Sequence, residues 1–219
     1  MAVDALIFDM DGTIIDTETA DFNSWKEVYD RYNVDLTVDT WRLRVGWVNL
    51  AMFDPLLHLQ STIKRVLSET ELREHHERYM ANCGNLPILP GVLEMIQHAH
   101  AHGLKLGIAS NSDKWWVEHW LQYYKLRPYF QCVYTRDDVA NPKPHPEMYQ
   151  AAAACLGVPV ERCVAFEDSP VGMQAAISAG IRTVAIPNWV TMNMTRPEGL
   201  SLTLETLAEL PFDKLMTGF

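Results

Sequence analysis

Near the N-terminus the chain reads Asp4-Ala-Leu-Ile-Phe-Asp9-Met-Asp11-Gly-Thr13. Ala5 to Phe8 form a short apolar run with no polar alternation, the pattern of a strand buried on both faces. It ends abruptly in two carboxylates and a glycine. Working outward, similar apolar runs recur at 104–109, 131–134, 163–166 and 183–186. Between them lie segments with helical spacing. Residues 91–102 carry Val92, Met95, Ile96 and Ala99 on one face and stop at Gly103. Residues 113–124 carry Val117, Trp120, Leu121 and Tyr124, while 146–156 end before Gly157 and 170–179 before Gly180. Strands alternating with helices predict an α/β protein with a doubly wound parallel sheet.

One interval breaks the alternation. From 17 to 85 no strand-like run occurs. Phe22, Trp25, Val28, Tyr29 and Tyr32 follow helical spacing, and Ser68-Glu-Thr-Glu71 has the form of a capping box opening a further helix through Leu72, Tyr79 and Met80. This predicts a core domain of residues 1–16 and 86–219 with a helical domain, 17–85, inserted into it.

Composition limits the partners. The 219 residues hold 18 Lys+Arg against 28 Asp+Glu, a formal charge of −10. That excess disfavours nucleic acid, which binds by replacing phosphate counterions with cations. It equally disfavours anionic membranes. No stretch approaches the ~20 apolar residues of a membrane span, and Met1-Ala-Val-Asp4 lacks the basic start of a signal peptide. Cys83, Cys132, Cys155 and Cys163 show no metal-type spacing and read as small buried thiols rather than disulfides. These features predict a cytoplasmic protein in a reducing compartment. A monomer is the default expectation.

Polar residues stand just past the C-terminal ends of the predicted strands, the edge at which open α/β sheets bind ligands. They are Asp9-Met-Asp11-Gly-Thr13, Ser110-Asn111-Ser112, Lys143 in the loop after the third strand, and Glu167-Asp168-Ser169. The types suit phosphoryl transfer. A carboxylate such as Asp9 can attack phosphorus, provided that the phosphate charge is neutralised. Mg²⁺ held by Asp9 and Asp168, with Glu167 assisting, would do so. Lys143 adds a positive charge. The Ser110 hydroxyl and the N–H groups after it can hold phosphate oxygens. Asp11 can give a proton to the leaving oxygen and later take one from water.

This set resembles the haloacid dehalogenase superfamily, in the branch of β-phosphoglucomutase-like phosphatases and mutases. Asp9–Glu18, Ser110–Ser112, Lys143–Tyr149 and Phe166–Gly172 are similar to its four motifs, in order. The resemblance implies strand order 3-2-1-4-5, a helical cap at 17–85, Asp9 as nucleophile and Asp11 as acid/base. It implies Mg²⁺ on Asp9, the Asp11 carbonyl and Asp168, with Glu167 close by. Ser110, Asn111 and Lys143 would hold phosphate, and Gly46 and Trp47 fall near the cap's substrate loop. The substrate would be a small phosphorylated metabolite.

A dehalogenase has no use for a second acid at Asp11, because halide leaves without a proton. A β-phosphoglucomutase-type mutase is the main alternative. Where mutases of this branch carry a histidine this chain has Asp21, whose charge sits poorly beside a second phosphate; the cap's cations near the loop are Arg42 and Arg44. Hydrolysis is the favoured reading. A receiver-like signalling module shares the acidic pocket but has no need of the insertion. His98 and His102, one helical turn apart, read as a solvated face. Trp115 and Trp116 read as core or domain-face residues, as do Trp25 and Trp41.

Overall fold

The computed structural model describes residues 2–47 and 52–218. The chain runs β1 (Ala5–Phe8), α1 (Thr17–Arg31), α2 (Val38–Arg42), α3 (Pro55–Ile63), α4 (Glu69–Gly84), α5 (Val92–Ala101), β2 (Lys105–Ser110), α6 (Lys114–Tyr123), β3 (Cys132–Thr135), α7 (Glu147–Leu156), β4 (Cys163–Glu167), α8 (Pro170–Ser178), β5 (Arg182–Ala185), β6 (Leu202–Thr203) and α9 (Phe212–Thr217). The described strands make one parallel sheet in the order β3-β2-β1-β4-β5-β6. The expected 3-2-1-4-5 order is present, extended at its edge by β6.

β1 is central and wholly buried, which explains its unbroken apolar run. Its alternate residues face opposite layers. Leu6 and Phe8 pack with Val92, Met95 and Ile96 of α5 and with Val117, Trp120 and Leu121 of α6. Ala5 and Ile7 pack with Met148, Tyr149, Ala152 and Ala153 of α7 and with Ala175 and Ala176 of α8. Helices thus cover both faces. Phe8 lies level with Ile108 of β2 and Phe166 of β4, so the residues that follow these three emerge together at one edge.

Helices α1 to α4 bury a third cluster, built on Phe22, Trp25, Tyr29, Trp41, Phe53 and Leu59, which takes in Val190 from beyond β5. The capping box at α4 forms as expected, with Ser68 and Glu71 exchanging side-chain and backbone bonds. Trp25 and Trp41 are buried there. His98 and His102 are exposed, as expected, and lie beside the ring of Phe212, at 5.7 and 4.6 Å between centroids.

The cysteine expectation needs correction. Cys132 in β3 and Cys155 in α7 form a disulfide, whereas Cys83 and Cys163 are buried free thiols. The two partners are 23 residues apart, and their meeting depends on α7 crossing the β3 edge of the sheet. Linear spacing carries no trace of that crossing, and the reducing compartment inferred from cysteine use loses its support. No helix among the described residues is long and apolar enough to cross a membrane.

Candidate active site

Three strand ends and one loop build the site. Asp9 follows β1, Ser110 closes β2, Glu167 closes β4 and Asp168 follows it; Lys143 enters from the loop before α7. The Lys143 ammonium donates to Asp9 Oδ1 at 2.6 Å and to Glu167 Oε1 at 2.5 Å, all three residues being buried. Tyr149 from α7 donates its hydroxyl to the same Glu167 oxygen at 2.6 Å. Burial by itself would lower the Lys143 pKa, but the two carboxylates outweigh it and hold the ammonium firmly charged. Asp9 moves upward, first through burial and also through Glu167 and Asp11, against the pull of Lys143. Asp168 rises through burial and through its neighbours Asp9 and Glu167.

Asp9 and Asp168, pushed upward by burial and by neighbouring carboxylates, are short of positive charge. Asp9, Glu167 and Asp168 each offer an oxygen, and these atoms lie within 4.8 Å of one another. Hard carboxylate oxygens at this separation fit a hard divalent cation.

Two glycines make the packing possible. Gly12 has φ +79°, and a Cβ there would stand 2.4 Å from Asp168 Oδ2 and 2.5 Å from Asn188 Nδ2. At Gly172 a Cβ would lie 2.0 Å from Glu167 Oε1. Asn188, from the loop after β5, donates to Asp168 Oδ2 at 2.8 Å. That residue escaped the sequence reading because its loop carries no motif.

Asp11 is held by three donors. Thr17 at the start of α1 and the Trp116 indole N–H reach Oδ1 at 2.6 and 2.8 Å, and the Ser112 hydroxyl reaches Oδ2 at 2.5 Å. Trp116, expected to serve as core or domain face, therefore belongs to the site. Its position in α6 directly after the second motif was the available signal.

Asn111 behaves as a tie between loops. Its Oδ1 accepts the Lys143 N–H at 2.9 Å, and its Nδ2 donates to the Gly46 carbonyl at 2.8 Å and to the Lys143 carbonyl at 3.2 Å. Gly46, at φ +79°, sits closely over Ser169 and Val171. The expected substrate loop is thereby pinned to the sheet edge.

Asp9, Asp11, Ser110, Lys143 and Asp168 open into a cavity of about 410 Å³. Its other wall comes from the helical insertion and α6: Glu18, Asp21, Arg44, Trp47, Tyr79 and Trp116. Arg44 pairs with Asp21 at 3.1 Å and lies 4.3 Å over the Trp41 ring. Burial raises Asp21, with Arg44 opposing. Burial also pushes the Glu18 carboxyl up to about 8, again against Arg44. Trp47 is half exposed at the rim. Arg42 turns away, donating to the Val190 carbonyl and pairing with Asp39.

An acid pair, a buried lysine and a carboxylate triad at the switch edge of a doubly wound sheet define a hydrolase of the haloacid dehalogenase type. The family model for haloacid dehalogenase-like hydrolases matches residues 6–186. The chain belongs to that family, in its β-phosphoglucomutase-like branch, and is an enzyme of its phosphatase class. It is 37% identical to YhcW of Bacillus subtilis (strain 168) over 215 residues, 98% of this chain and 96% of that protein. It is 34% identical over 182 residues to the phosphorylated carbohydrates phosphatase of Thermotoga maritima, covering 83% of this chain and 84% of that one. Among solved structures, a haloacid dehalogenase family hydrolase from Deinococcus radiodurans with bound phosphate and sodium superposes with a TM-score of 0.77 at 25% identity, over 99% of this chain and 97% of the other.

Proposed function

We propose that this chain is a Mg²⁺-dependent phosphatase of a small phosphorylated metabolite, such as a sugar phosphate, working through a phosphorylated Asp9. Residues 1–16 and 86–219 form the catalytic core in this reading, and 17–85 the cap. The observation that carries it is the Lys143 ammonium bridging Asp9 and Glu167 beside Asp168, at the floor of one cavity. Asp9, Asp168 and Glu167 would hold Mg²⁺, together with the Asp11 carbonyl. When bound, the ion neutralises phosphate charge and so permits a carboxylate to approach phosphorus.

The chain's own groups then divide the work. Lys143 and Ser110 hold phosphate oxygens, and Asn111 fixes the lysine loop. Asp9 attacks phosphorus as the bond to the leaving oxygen breaks, and Asp11 delivers its proton to that oxygen. Water next attacks the phosphorylated Asp9, with Asp11 recovering a proton, which releases phosphate and restores both carboxyls. The cap closes the cavity against bulk water, and Gly46 and Trp47 border the leaving group.

Hydrolysis is favoured over phosphate shuttling by the charges of the cavity wall. Apart from Lys143, which takes the first phosphate, the lining cations among the described residues are already paired: Arg44 with Asp21 and Arg136 with Asp113. The second phosphate of a bisphosphate would meet no unpaired cation among the described residues. The test is turnover of p-nitrophenyl phosphate and of a panel of sugar phosphates. Asp9→Asn should abolish release of phosphate with the fold intact, and chelation should stop the wild type until Mg²⁺ is returned. Activity that survives either treatment, or isomerisation of a sugar 1-phosphate given its bisphosphate, contradicts the proposal.

A further inference from the structure

The donors around Asp11 are chemically unlike one another. Thr17 and Ser112 present hydroxyls, which rotate and can give or accept a hydrogen bond; the Trp116 indole N–H can only give one. That N–H meets Oδ1 at 2.8 Å. Oδ1 must therefore act as an acceptor whether the carboxyl is ionised or neutral. An oxygen already accepting from a fixed N–H is the poorer seat for a proton, which favours Oδ2, where the Ser112 hydroxyl, 2.5 Å away, can turn to accept.

The indole is itself held in place. Tyr79 of α4 stacks on it at 5.4 Å between centroids and 12° between planes, and Trp120 meets its edge at 5.5 Å. Tyr79 comes from the insertion and Trp116 from the sheet domain, so this stack links the inserted helices to the acid/base. Offset-stacked and edge-to-face aromatic contacts favour one ring orientation beyond what burial alone selects.

We propose that Trp116 is the positioning residue for Asp11: its N–H selects the oxygen that carries the transferable proton, and its stack on Tyr79 couples that selection to the seating of the cap. The inference rests on Asp11 being the acid/base. Trp116 touches no reacting atom in this role, and it acts by aiming the proton at the leaving oxygen.

The experiment compares kcat/KM, which reports the first phosphoryl transfer, for two leaving groups. An alkyl phosphate from the substrate panel needs a proton on its leaving oxygen, whereas 2,4-dinitrophenyl phosphate does not. Trp116→Phe keeps the ring and removes the N–H. It should lower kcat/KM for the alkyl ester by roughly tenfold, part of the 10²–10⁴ that general acid catalysis supplies, and leave the dinitrophenyl ester within about twofold. Combined with Asp11→Asn, it should cause no further loss, because both changes act through one group. Inhibition by inorganic phosphate should stay the same. If Trp116→Phe fails to fold, Tyr79→Leu carries the same comparison. Equal losses on both esters, no loss on either, or an additive loss in the Asp11→Asn background would overturn the inference. If Asp11→Asn alone shows no leaving-group dependence, the acid/base reading falls with it; if Asp11→Asn shows it and Trp116→Phe does not, only the positioning role falls.

Discussion

Gly172→Ala sets two effects of opposite sign against each other. Gly172 lies in the first turn of α8, and alanine in a helix is favoured over glycine by about 1 kcal/mol. Propensity alone therefore predicts a more stable protein. The new methyl, however, would stand 2.0 Å from Glu167 Oε1 and 2.1 Å from Oε2, a full ångström inside the 3.0 Å limit for Cβ contacts. Glu167 has no room to yield: it is fully buried at the end of β4, with Lys143 and Tyr149 both on Oε1. Moving the carboxylate by that distance breaks its bond to the lysine. Disrupting a buried ion pair costs about 3–5 kcal/mol, so sterics outweigh propensity by about 2–4 kcal/mol. At roughly 2–4 °C per kcal/mol for a chain of this size, Tm should fall by about 5–15 °C. Displacing Glu167 by about 1 Å, which releases Lys143 from one of its two carboxylates, should also lower kcat/KM on the order of 100-fold. Differential scanning fluorimetry and p-nitrophenyl phosphate turnover measure the two effects on one preparation. A raised Tm with kcat/KM within about twofold of wild type would refute the reasoning, because helix propensity would then be the only effect present.

Two further outcomes follow from the cavity wall and the cysteines. Glu18 has a folded-state pKa of about 8 against an ordinary 4.5; the unfolded chain loses this proton first as pH rises, so the group costs stability progressively between those values. Glu18→Gln removes that cost, and its Tm advantage over wild type should grow from pH 5 to 8 and then level off; a pH-independent difference contradicts it. The Cys132–Cys155 bond closes a 23-residue span, which constrains the unfolded chain by about 3 kcal/mol. Cys155 is exposed to reductant, so dithiothreitol should lower the wild-type Tm by about 6–12 °C and leave Cys155→Ser unmoved; a wild type indifferent to reductant counts against the bond.

Features that depend on neighbours along the chain are legible in the amino-acid order alone. Apolar runs without alternation marked the buried parallel strands, and Ser68 with Glu71 marked the start of α4. The strand ends located Asp9, Ser110, Glu167 and Asp168 at one edge, because parallel strands all finish on the same side of a sheet. Lys143 was legible through its motif.

Contacts between distant segments depend on how the elements pack. Trp116 and Asp11 are separated by 105 residues and Asn111 and Gly46 by 65. The bond from Asn188 to Asp168 depends on the path of the loop after β5, and the disulfide on how α7 lies over β3. In each case the partner is set by the packing of whole elements. Local patterning states which face of a helix is buried but not what it meets there. The oxygen of Asp11 that receives the indole N–H, and the glycines that let Glu167 and Asp168 fit, belong to this second kind of information.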